Sequence, residues 1–100
     1  MVKPAIALDA GFSIEETLRA IAAVRGLALL YPRDLIDEAI ARVAAAVRRG
    51  PPGFSNEELR ELGRAARLAD ERERCEAVGA VLGDRLIREA EALARQRKKL

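Results

Sequence analysis

The chain has 100 residues, half of them apolar and a third charged, with a formal net charge of +2, one cysteine and no histidine. Such a composition is globular rather than disordered, supplies one hydrophobic core and not two, and excludes an internal disulfide. The near balance of charge argues against a chain built as a whole to bind nucleic acid or an acidic partner.

Alanine supplies 20 of the apolar residues, while Phe, Tyr and Trp together supply only three. Helices lined with alanine can approach closely, but each buries little area. Arg outnumbers Lys 15 to 3, and Asn and Gln occur once each. Loss of thermolabile amides fits a thermophile protein, and computational design gives a similar bias. The longest apolar runs are five residues, far below the roughly 20 that span a bilayer. Met1 to Gly11 lacks a signal-peptide pattern, and the lone Cys75 fits a reducing compartment. A soluble, cytoplasmic or recombinant protein is expected.

In chain order, residues 1–12 read as a short arm or an extra turn. "GFSIEE" at 11–16 then recurs as "GFSNEE" at 53–58. Each copy places Ser three residues before Glu, which is the capping box of a helix start, with Phe in position for a hydrophobic staple. Leu59 completes the staple in the second copy, whereas Thr17 leaves it incomplete in the first. The first helix is expected over 13–30, with Ile14, Leu18 and Ile21 on one face, a Glu15–Arg19 pair, and Gly26 interrupting before its last turn. The second is expected over 32–49, with Pro32 in its first position, Ile36, Ile40, Val43 and Val47 inward, and "GPP" at 50–52 as its stop. Leu59, Leu62, Ala66 and Ala69 define a third over 55–69. A single helix over 55–98 would be about 66 Å long, so a break is required, and Asp70 with Glu73 supplies a capping pair for it. The last helix is expected over 71–98. Gly79 and Gly83 either admit a close contact within it or split it near 83.

The expected fold is therefore all-α, a single-domain bundle of four or five helices with short Gly/Pro connections.

Chemistry is sparse. Cys75 is the only sulfur nucleophile, and Arg72 and Arg74 nearby in sequence could favour its thiolate, but no histidine can act as its base. The adjacent acids Glu15 and Glu16, Asp37 and Glu38, and Glu57 and Glu58 point about 100° apart on a helix and do not converge. No cysteine or histidine set fits a metal, and no glycine-rich stretch fits a phosphate or dinucleotide loop, so neither catalytic residues nor a cofactor is expected. The one charged feature with a candidate partner is the basic end at Arg95, Arg97, Lys98 and Lys99, suited to phosphates of a polyanion. The same residues also suit the negative end of a helix dipole, and no aromatic stacking group accompanies them.

The sequence thus points to a non-enzymatic structural or interaction module, fitting a designed scaffold, with possible self-association because small side chains bury little surface. The alternative is a thermophile protein that binds nucleic acid through its basic C-terminal helix.

Overall fold

The computed structural model describes residues 13–99, and over them the chain is all-α, with no strand. Four helices follow one another: α1 (Ile14–Val24), α2 (Arg33–Arg49), α3 (Asn56–Ala66) and α4 (Glu71–Lys98). Short 3-10 turns at Leu27–Leu29 and Pro51–Gly53 join the first three. The expected arm at 1–12, including Phe12 of the first staple, lies outside the described residues.

Both capping boxes form. The Ser13 hydroxyl accepts from the Glu16 amide at 3.0 Å, and the Glu16 carboxylate accepts from the Ser13 amide at 2.9 Å. Ser55 and Glu58 repeat the exchange at 3.1 and 2.8 Å. Thr17, expected as a gap in the first staple, is buried, and its hydroxyl donates to the Ser13 carbonyl at 3.1 Å. The first helix start is thereby tied by a polar contact where the second carries an apolar residue. Asp70 caps α4 by accepting from the Glu73 amide at 3.1 Å.

The helix ends differ more from expectation. α1 stops at Val24 rather than near residue 30, because Gly26 takes the left-handed conformation (φ 70°, ψ 29°) that side chains disfavour. One 3-10 turn follows, which buries Leu27 and turns Leu29 and Leu30 outward. Pro32 is the N-cap of α2 rather than its first helical residue. α3 ends at Ala66, short of 69, and the Arg74 guanidinium folds back onto the carbonyls of Leu68 and Ala69 at 2.7 and 2.9 Å. These bonds close the turn into α4.

α4 is not split at Gly83. It runs unbroken for 28 residues, about 42 Å at 1.5 Å per residue. Gly83 instead admits a side chain: a Cβ there would meet the Arg25 guanidinium at 2.9 Å. That guanidinium donates to Asp84 and to the Ala80 carbonyl, each at 3.1 Å, so it straps the end of α1 across α4.

The core is built by α1, α2, Leu27 and the C-terminal half of α4. Leu18, Ile21, Ile36, Ile40, Val43, Leu86, Ala90 and Leu93 form one buried cluster with Ala22, Ala39 and Ala44 filling between them. α3 adds no residue to that cluster and packs on α4. Gly53 brings the start of α3 down onto α2, so close that a Cβ would run into the Ala46 carbonyl.

A lost cap costs about 1 kcal/mol, and at Ser55 it also loosens Glu58, whereas Thr17 still ties the first start. Ser55→Ala is therefore expected to destabilise more than Ser13→Ala in denaturant melts; equal or reversed losses would reject the ranking.

Candidate functional site

The basic end at Arg95, Arg97, Lys98 and Lys99 is expected to suit the phosphates of a polyanion. Arg95, Arg97, Lys98 and Lys99 all lie exposed at the end of α4. Arg97 is not free, since it reaches back to Asp34 at 3.1 Å and Glu38 at 3.6 Å and so fastens the end of α4 to α2. Arg95, Lys98 and Lys99 face solvent without an ion pair among the described residues.

Cys75 is half-buried in α4. The arginines beside it in sequence are committed elsewhere: Arg72 pairs with Glu76 at 3.7 Å, and Arg74 closes the preceding turn. The adjacent acids serve as fasteners. Glu15 takes a bidentate contact from Arg48 of α2 at 2.8 Å in place of the expected Arg19, and Arg19 crosses to Asp37 at 2.7 Å. Both long side chains reach the neighbouring helix more directly than their own next turn. Among the described residues no group of three His, Cys, Asp or Glu side chains could hold a metal ion. No described helix is long and apolar enough to cross a membrane.

The most concentrated polar cluster joins Glu58, read from the sequence only as a capping residue, to arginines that no local pattern announced. Glu58, only 7% exposed, sits between α3 and α4 and uses both carboxylate oxygens. One accepts from the Ser55 amide at 2.8 Å and from Arg85 at 3.0 Å, and the other accepts from Arg88. Arg85 also donates to Glu89 and to the Gly53 carbonyl, each at 3.0 Å, and stacks 5.5 Å from the centre of the Phe54 ring. These residues line one side of an open groove of about 550 Å³. Burial pushes the Glu58 carboxyl up, but the Ser55 amide, Arg88 and Arg85 outweigh it and hold it below the usual glutamate range. A general base working near neutral pH needs the opposite shift. This cluster is built as a fastening.

A second surface was hidden by reading 27–30 as helix. Val24, Leu29 and Leu30 are 85%, 89% and 72% exposed around the Gly26 turn. Arg25 holds that turn on α4, and Tyr31 packs against the core just beyond it. Three large aliphatic side chains are thus displayed on an anchored corner.

No protein-family model, curated protein or solved structure matches this chain.

Glu58 carries a pH signature. A carboxyl lowered on folding stabilises the native state above the unfolded glutamate value of about 4.3, and that stability is lost as pH falls through the lower folded value. Denaturant stability is expected to drop below about pH 4.3, and to drop less in Glu58→Gln, where Glu15, lowered by its Arg48 hydrogen bond, still contributes. Identical acid profiles would remove Glu58 from this role.

Proposed function

We propose that the chain is a non-enzymatic helical interaction module that meets a protein partner through the corner at Val24, Leu29 and Leu30. The observation that carries this reading is the exposure of those three side chains on a turn fixed from both sides. Leaving so much aliphatic surface in water costs free energy that a contact would recover, at roughly 25 cal/mol per Å². The groove beside Glu58 supports no catalytic reading, because its carboxylate is saturated and held in the ionised form.

A designed, thermostable scaffold remains compatible with the paired capping boxes and the absent histidine, and a reducing, cytoplasmic setting with the lone Cys75. An inert scaffold accords less well with the corner, since exposed aliphatics are what surface design removes. The polyanion reading rests on Arg95, Lys98 and Lys99, with Arg97 also engaged by Asp34 and Glu38.

The simplest partner is a second copy, because a two-fold axis buries the same corner on both subunits. Sedimentation equilibrium is expected to give a mass rising with concentration toward a dimer, and the combined Leu29→Ser and Leu30→Ser variant to remain monomeric and folded. A strict monomer that a hetero-partner screen also leaves unbound would contradict the reading, as would a dimer indifferent to these substitutions.

A further inference from the structure

The outward face of α3 carries Arg60, Arg64 and Arg67 at spacings of four and three, which places them in one row along the helix. All three are exposed, and none makes an ion pair among the described residues. Beside the row lies an open groove of about 720 Å³ lined by Asn56, Leu59, Gly63 and the three arginines. Gly63 leaves the helix backbone bare there, with open space where its Cβ would stand. Leu59 adds an apolar contact.

We infer that this face of α3 docks an acidic amphipathic helix, whose carboxylates pair with the arginine row and whose apolar side chain packs over the bare backbone at Gly63 beside Leu59. Charge complementarity sets the sign of the partner, and Arg offers its carboxylates bidentate contacts. A helix with acids at the same four-and-three spacing matches the row one for one, and glycine at the contact lets the two axes approach. A nucleic acid is disfavoured because the groove contains no aromatic ring on which a base could stack. This surface is separate from the Val24, Leu29 and Leu30 corner, and its success or failure leaves that reading untouched.

The test uses a fluorescein-labelled synthetic helical peptide in which a Glu row at four-and-three spacing borders a Leu and Ala stripe on the same face, titrated with the full chain and followed by anisotropy. Binding at low salt is expected to weaken as salt rises. The Arg60→Gln, Arg64→Gln, Arg67→Gln triple variant is expected to weaken it by about tenfold or more, the worth of one charge-assisted contact. Gly63→Leu, which covers the bare backbone while favouring the helix, is expected to weaken it as well. The control variant Arg95→Gln, Lys98→Gln, Lys99→Gln is expected to bind as the parent does. Absence of binding at low salt, unchanged binding in the triple variant, or equal affinity for poly-glutamate or a DNA duplex would overturn the inference.

Discussion

Everything else in this fold is hung on one continuous rod, α4, and on the buried cluster that its C-terminal half shares with α2. Ala39, Val43, Ala44, Leu86 and Ala90 have no exposed surface at all. Small side chains at such a contact let two helix axes approach closely, and interiors packed this tightly tolerate little change in volume. α1 and Leu27 close the cluster from the other side. The rod then extends beyond the core, and α3 packs along it.

Arginine does most of the fastening between elements. Arg19, Arg48, Arg25 and Arg97 each cross from one helix to a carboxylate on another. Exposed pairs of this kind contribute little individually, typically under about 1 kcal/mol. The Glu58 cluster differs because Glu58 and Arg85 are shielded, with Arg88 at its exposed edge, and the Glu58 carboxylate also completes the N-terminal box of α3. Since α3 adds nothing to the central cluster, that tie and the buried Ala65 decide how firmly α3 is held.

What the sequence made legible was local. Ser13, Ser55 and Asp70 announce their helices because a cap is a contact over three residues, and the alternation of Ile36, Ile40 and Val43 announces the inner face of α2. The end of α1 was not legible, since Leu27, Leu29 and Leu30 continue a plausible helical pattern. Only the burial of Leu27 against the core selects the left-handed Gly26 that turns the other two outward. Gly83 shows the same limit: whether it breaks a helix or receives Arg25 depends on a residue 58 positions earlier in the chain. Likewise, counting charges found the basic end but not the partners of Arg97, and Glu58 met Arg85 and Arg88 only across separations of 27 and 30 residues.

The central claim is that a three-helix core carries α3 as a separately fastened element. Native-state hydrogen exchange read residue by residue tests it most directly. Amides of α2 and of residues 82–94 should exchange only through global unfolding. Those of α3 and of residues 73–79 should open together at a lower free energy, which Glu58→Gln lowers further without changing the core. Uniform protection across α2, α3 and both halves of α4 would contradict the account.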